Sequence, residues 1–456
     1  MLTSLIQVRL RQEIHQDHKN ILPIRCALHH FNLIAKDLSK LTFAKDIIKV
    51  NCRLVTFFTS SHIRTAKLRE WMKDQPGPHR YLRTLCETRW YSLILVCLGV
   101  QSFEQGFQYC VEQSGVLGNP QLPPDIIQAI RNRYHFAKNN ELTVILKPVI
   151  DSIGRLEGGD STLGDVMAEF CYIRFAWMHL DEITSPDAIR FKEEGLRILS
   201  RRAKQYDQEI YFIAFFLCSK YKRVAISGNW TFRRIWNSLL SLVKAWGYTV
   251  NDVEKLRTEI SQYHNHDELF IAAEGLPQGP RAYWDLMIEV PTLRKLALKV
   301  FAIVPHGAAV ERLFSILSLS KSKIRNKLSI DTMKQIAMMR AELKKNYIQP
   351  TVGSRLSSFN AQNEIRSNIA EVINNDEEEI NDHDQEQLHD DIRIWELDAV
   401  GDLDEENNIE EDILAQFFNF DLYYHEIVNP NLGEGNMAEN VNRRDEKNWS
   451  IEQFMI

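Results

Sequence analysis

The sequence predicts an α/β fold that is mostly helical, with an acidic carboxy-terminal tail that has no fold of its own. Three observations predict it. Through residues 101 to 290, apolar and aromatic residues recur at three- and four-residue spacing, the period of a helix face. From Ile24 to about Val100, helix-length amphipathic runs are mixed with short β-branched stretches. Beyond about Tyr347 the composition turns to Asn, Asp and Glu, with too few apolar positions to offset the entropy of ordering the chain.

Taken in order, the first ambiguous element is "RLVTFFTSS" (53 to 61), which reads as a strand or as the start of a helix. "DQPGPHR" (74 to 80) is a break, by its Pro and Gly content. "PPDIIQAIRNRYHFAKN" (123 to 139) opens a helix with prolines, which suit a first turn whose N–H groups lack partners. "DSTLGDVMAEFCYIRFAWMHL" (160 to 180) and "DQEIYFIAFFLCSKYKRV" (207 to 224) follow as helices with apolar faces. In "PTLRKLALKVFAIVP" (291 to 305), Pro291 starts a helix and Pro305 ends the apolar run. A second helix then places Val310, Leu313, Phe314 and Leu317 at i, i+3, i+4 and i+7. A third starts near Ser329 as N-cap, with Asp331 in its first turn, and is expected to bury Met333, Ile336, Ala337 and Leu343. In the tail, Trp395 and "FFNFDLYY" (417 to 424) are aromatic islands in acidic surroundings, readable as partner-binding segments or as unexplained tail residues. No internal repeat of 20 to 50 residues is visible.

At 456 residues and 44% apolar content, the chain is long enough for a substantial core. No run of eighteen apolar residues occurs and the start, MLTSLIQVRLRQEIHQ, is not a secretory signal, so a soluble protein of the cytoplasm or nucleus with no membrane partner is expected. The seven cysteines are scattered through apolar segments, the habit of reduced, buried thiols. Residues 374 to 412 hold eighteen Asp and Glu against the single Arg393, a local charge of -17; with a net charge of -6, the rest carries +11. A basic body with an acidic tail fits a nucleic-acid binder whose tail competes for its own basic surface, although such tails also serve as solubilising or interaction segments. No Gly-rich phosphate loop and no serine, histidine and aspartate constellation in a catalytic context is present, which argues against those enzyme classes.

Three short stretches occur in one order: "RCALHHFNLIAKDL" (25 to 38), "ETRWYSLI" (87 to 94) and the run from Pro291 to Leu343, which contains Glu311, Arg312, Phe314 and Ser315 and then Arg325, Asn326 and Leu328. Together they resemble the hAT family of DNA transposases, the last stretch being similar to that family's carboxy-terminal dimerisation region. The resemblance implies a ribonuclease H-like fold interrupted by a helical insertion: residues 1–100 as a partial core, 101–290 as the insertion, 291–346 as the dimerisation region completing the core, and 347–456 as the disordered acidic tail. It also implies two aspartates and one glutamate holding two divalent metals, Mg or Mn, because hard cations take oxygen ligands and two of them serve the attacking and leaving oxygens of strand transfer.

By that resemblance Glu311 stands at the third acid, and Lys321, Lys323, Arg325 and Lys327 stand where phosphates approach, together with Arg89 beside Trp90. Trp90 matches the family tryptophan that stacks on a flipped base; alone it reads equally as a core residue beside Leu93 and Ile94. Without the resemblance, Glu311 is an exposed acid beside a solvated basic turn. Cys26 and His29 match the family's Cys-x-x-His, an element adjacent to the active site; a buried structural cysteine with a hydrogen-bonded histidine is the plainer reading, since Cys52, His62, His79 and Cys86 offer no convincing second half of a zinc site. The family's two aspartates precede its Cys-x-x-His, and Asp17 is the only aspartate ahead of Cys26. The expectation is therefore a truncated, catalytically defective, nuclear transposase remnant with no bound cofactor. It would form a homodimer or higher oligomer, bind DNA, and have room for protein partners at its tail. The alternatives are an active metal-dependent transposase using Glu311 with acids not identified, and a host-recruited interaction protein acting through the acidic tail.

Overall fold

The structure is a computed structural model that describes residues 13–14, 16–73, 75, 82–84, 91–115, 121–272, 279–308, 329, 331–332, 334–336, 338–339 and 412–429. Two compact units are present, Met1–His306 with Asn408–Met455, and Gly307–Asn407 with Ile456.

In the first unit the helices are α1 (Ala27–Lys40), α2 (Thr42–Thr59), α3 (His62–Lys73), α4 (Tyr91–Ser102), α5 (Glu104–Glu112), α6 (Pro124–Arg131), α7 (Arg133–Leu156) and α8 (Leu163–Met178). They continue as α9 (Pro186–Lys204), α10 (Glu209–Leu217), α11 (Lys222–Ala225), α12 (Phe232–Ala245), α13 (Val250–Asn265), α14 (Glu268–Ala272), α15 (Pro280–Leu286) and α16 (Pro291–Phe301). The tail adds α17 (Ile413–Phe417), α18 (Phe420–Tyr423) and a π-helical turn, Tyr424–Val428.

The mostly helical expectation holds, and among the described residues no strand occurs. Both readings of 53–61, strand and helix start, are corrected, because residues 53–59 form the second half of α2 and the stretch ends that helix at Ser60. Ile47, Ile48, Asn51, Leu54, Val55 and Phe58 line one buried helical face there. Packing of that face outweighs the weak strand preference of its β-branched residues. It closes a cluster with Leu68 and Met72 of α3, Val96 and Val100 of α4, Phe107 of α5, Ile126 and Ile130 of α6 and Phe136 of α7.

Proline and side-chain caps set the boundaries as the sequence suggested, with one refinement. Pro124 opens α6, but the helix stops at Asn132, whose side chain accepts the His135 N–H at 3.2 Å and starts α7. The run from 123 to 139 is thus two helices joined by an N-cap residue. Thr162 and Asp165 form a capping box at the start of α8. Helix α10 is buried from Ile210 to Leu217, so it is apolar all round and sits between other helices. It packs closely on α8, where a Cβ added at Gly164 would lie 2.9 Å from the Ala214 carbonyl oxygen. Helix α16 starts at Pro291, as expected, and ends at Phe301, ahead of the expected stop at Pro305; its N-terminus lacks a side-chain cap of its own. Glu259 of α13 supplies one, accepting the N–H groups of Thr292 at 3.3 Å and Leu293 at 2.5 Å.

A buried polar network joins α2, α4 and α7. Asn51 donates to Asn139 Oδ1 at 2.7 Å, Asn139 donates to the Cys97 carbonyl at 3.0 Å and to Gln101 Oε1 at 2.9 Å, and His135 Nε2 lies 2.9 Å from Asn51 Oδ1. Burial holds the His135 pKa below the ordinary 6.5, since desolvation disfavours the imidazolium. The unfolded chain therefore takes up this proton more readily than the folded one. The stability tied to neutral His135 is complete above pH 6.5 and falls as pH drops through 6.5 toward the lower folded value. Thermal melts at pH 7.5 and 5 are expected to show a larger loss of Tm for the wild type than for His135→Gln, which keeps a polar side chain there without a titrating group.

The expectation of disorder throughout 347–456 fails at 412–429. That segment is helical and packs against the body, with Leu414, Phe417, Phe418, Tyr423 and Ile427 all buried. Trp395 lies outside the described residues. Six cysteines carry no disulfide: Cys97, Cys110, Cys171 and Cys218 are buried, and Cys26 and Cys52 half-buried; Cys86 lies outside the described residues. Among the described residues no helix is long and apolar enough to cross a membrane.

In the second unit, Ser329 accepts the Thr332 N–H at 3.1 Å, the N-cap expected of it. Ile336 is half-buried, whereas the neighbouring Met338 and Met339 are exposed. Met333, Ala337 and Leu343 lie outside the described residues, as do Val310, Leu313, Phe314 and Leu317.

Candidate functional site

Two of the stretches that carry the family resemblance meet in the first unit. Helix α1 begins immediately after Cys26, which occupies the N-cap position without making a side-chain cap. Its first-turn N–H groups need acceptors. Ala27 finds one in the Pro305 carbonyl at 2.8 Å, so the end of the α16 segment closes the start of "CALHHFNL". Next to this contact, one ring nitrogen of His306 lies 3.1 Å from Ser161 Oγ and 3.5 Å from the Gly158 carbonyl. Tyr211 of α10 donates its hydroxyl to the Arg25 carbonyl at 3.3 Å.

Cys26 is half-buried at this junction and His29 is exposed. Beneath them, His30 meets Tyr206 edge to face at a centroid distance of 5.1 Å, and Tyr206 meets Tyr211 at 4.9 Å. Burial pushes both phenol groups upward; Tyr211 donates to the Arg25 carbonyl, whereas the Tyr206 hydroxyl is buried without a hydrogen-bond partner among the described residues. The plainer reading of Cys-x-x-His, a buried structural cysteine with a hydrogen-bonded histidine, is not met, since Cys26 is half-buried and His29 exposed; the motif lies where the chain turns into α1 against the end of the α16 segment.

The described side chains do not fit a two-metal centre. Among the described residues, no three His, Cys, Asp or Glu side chains come together as metal ligands. The buried carboxylates are instead committed to cations, caps and N–H groups. Asp37, inside the first motif, accepts from Arg202 Nε at 2.9 Å and Nη2 at 2.5 Å, with Arg201 at 3.5 Å. Glu169 accepts from Arg155 Nε at 2.7 Å and from Ser152 Oγ at 2.7 Å. Asp151 pairs with Lys147 at 3.2 Å, and Asp165 caps α8. Asp17, the one aspartate ahead of Cys26, is exposed. Burial raises the Cys52 thiol to about 11, and His62 is exposed at the start of α3.

Glu311, Arg89, Trp90, Lys321, Lys323, Arg325 and Lys327 lie outside the described residues, as do His79 and Cys86. Sequence reading missed the part played by Pro305 as acceptor for Ala27 and that of Asp37 as the anchor of α1 to α9. A signal for the second was available: Asp37 lies on the apolar face of an amphipathic run, where a charge needs a partner. Comparison with known proteins finds no family model that matches the chain and no curated protein similar to it.

Proposed function

We propose that this chain is a transposon-derived protein of the hAT type, defective in strand transfer, that self-associates through residues 291–346 and binds DNA in the nucleus. The observation that carries the reading is the contact between Ala27 and Pro305. It joins the Cys-x-x-His stretch to the segment leading into Glu311 and the basic run, as one composite element requires of motifs nearly 280 residues apart. The helical body fits the helical insertion that the family resemblance implies. The described residues contribute no sheet, so the partial ribonuclease H-like core rests on the motifs alone.

Support for DNA as partner is electrostatic. Outside residues 374–412 the chain carries +11, and Lys321, Lys323, Arg325 and Lys327 concentrate four of those charges within seven residues. Support for lost catalysis is Asp17, the one aspartate ahead of Cys26, which is exposed and belongs to no group of three potential metal ligands among the described residues. Fluorescence anisotropy with duplex DNA tests the reading. Affinity should fall steeply with salt and fall further in a chain with all four basic residues replaced by glutamine. Binding that is absent, or indifferent both to salt and to these substitutions, contradicts it.

A further inference from the structure

The turn between α12 and α13 and the outer face of α16 bring two aromatic rings and a set of lysines together. Helix α12 ends at Ala245 with Trp246 as its C-cap. Gly247 then takes φ +74°, a left-handed conformation that favours glycine, and the Tyr248 N–H returns to the Val243 carbonyl at 3.1 Å. Trp246 and Tyr248, both half-buried, thus flank a residue without a side chain, and Trp246 is held by donating its Nε1–H to the Asn20 carbonyl at 3.3 Å. On α16, Lys295 and Lys299 are exposed and lie one helical turn, about 6 Å, apart along the axis. Their ammonium groups stand 5.4 Å from the centre of the Tyr248 ring and 4.1 Å from that of Trp246.

This surface carries charge that the protein does not neutralise. Lys244 in the last turn of α12, Lys255 of α13 and Lys19 beside Asn20 add three more exposed cations. Elsewhere on the body exposed cations find carboxylates, as Arg53 does with Asp125 at 2.9 Å and Arg190 with Asp187 at 3.2 Å. Among the described residues none of these five lysines makes an ion pair. Asp252 feels them without pairing: the Thr249 hydrogen bonds, and after them the charges of Lys295 and Lys255, hold its pKa below the ordinary value. Its Oδ2 is taken by the Thr249 N–H at 2.9 Å and the Thr249 hydroxyl at 2.8 Å.

We propose that this surface binds single-stranded DNA, with Trp246 and Tyr248 as stacking platforms and Lys295 and Lys299 as phosphate contacts. A duplex offers phosphates but keeps its bases stacked on one another, whereas every base of a single strand has a free π-face for an aromatic ring. A lysine over a ring in water is a weak contact and a stacked base gains more, so the incoming base displaces the ammonium, which moves to the neighbouring phosphate. The surface belongs to the first unit and shares no residue with the basic run 321–327. It therefore goes beyond the reading proposed above, and only the choice of DNA over RNA rests on that reading.

Fluorescence anisotropy with a labelled oligo-dT of about 20 nucleotides, long enough for one such site, tests the assignment. The full-length chain used carries Lys321→Gln, Lys323→Gln, Arg325→Gln and Lys327→Gln, which removes the other basic run. The strand should bind saturably and more tightly than a duplex of the same length. Trp246→Ala should weaken it about tenfold, and Trp246→Phe should recover part of the loss. Lys295→Gln with Lys299→Gln, both exposed and so replaceable without disturbing the core, should weaken it and reduce the slope of log K against log salt by about 1.4, at about 0.7 for each single-strand phosphate. No saturable binding, equal or tighter binding of the duplex, or binding unchanged both in Trp246→Ala and in the lysine pair overturns the proposal. Tighter binding of an oligo-U RNA of the same length overturns the choice of DNA. Absence of duplex binding by the wild type contradicts the reading proposed above and leaves single-strand binding standing.

Discussion

Arg202→Ala is expected to destabilise the helical body by about 3–5 kcal/mol, the cost of leaving a buried carboxylate without its cation. Asp37 and Arg202 are both nearly inaccessible, at 6% and 9% exposure, and they tie α1 to α9 across 165 residues of sequence. The pair is bidentate on the arginine side, with Nε and Nη2 both on Asp37 Oδ2. Arg201 approaches the same oxygen at 3.5 Å, but its side chain is far more exposed and cannot replace the lost contact. Urea unfolding followed by circular dichroism measures the loss. The double variant Asp37→Leu with Arg202→Met should recover most of it, because removing both charges removes the desolvation penalty along with the attraction. A single substitution that costs less than about 1 kcal/mol, the range of exposed pairs, shows that water reaches the carboxylate.

The second large effect concerns the tail. Gly228→Leu is expected to expel residues 412–429 from their groove, because the new Cβ meets the Phe417 carbonyl at 2.2 Å and the Gln416 carbonyl at 2.7 Å, both of them backbone atoms that cannot rotate away. Exposure of Phe417 and Phe418 alone removes about 3–6 kcal/mol of apolar burial, taking about 1.5–3 kcal/mol for each side chain. Amide exchange of 413–428 should rise to the rate of an unprotected chain, and limited proteolysis should cut within 412–429, while the protection of α10 and α8 persists. Protection of 413–428 unchanged in the variant contradicts the docking.

How much of this could be read from the residues differs from one element to the next. Helices bounded by proline and side-chain caps were legible: Pro291, Pro124 and Ser329 each mark a boundary where one was expected. Those signals are local, and local sequence contains them. The stretch 53–61 was ambiguous because Val55, Thr56, Phe57 and Phe58 suit either period, and its partners in α4 to α7 decide the matter. The docking of 412–429 was not legible, because its acidic surroundings point to disorder and its binding surface is 238 residues away at Arg174. An aspartate followed by a short apolar run, with Asp412 ahead of "ILAQFF", is a helix start that composition alone conceals. Of the candidate site, the Cys26 and His29 corner was placed by motif order, yet its partner Pro305 could be paired with Ala27 only by the fold. The aromatic island offered as a recruitment surface is half of an internal contact, so partner capture through it requires release of the groove first.

The proposed reading is that this chain, with motifs resembling those of the hAT family, lacks the metal chemistry that a transposase needs. The most direct test is a strand-nicking assay on supercoiled DNA with the full-length chain in magnesium and in manganese. The account predicts no cleavage above a no-protein control in either metal, alongside salt-sensitive DNA binding under the same conditions. Metal-dependent nicking by the wild type that disappears in Glu311→Gln contradicts it.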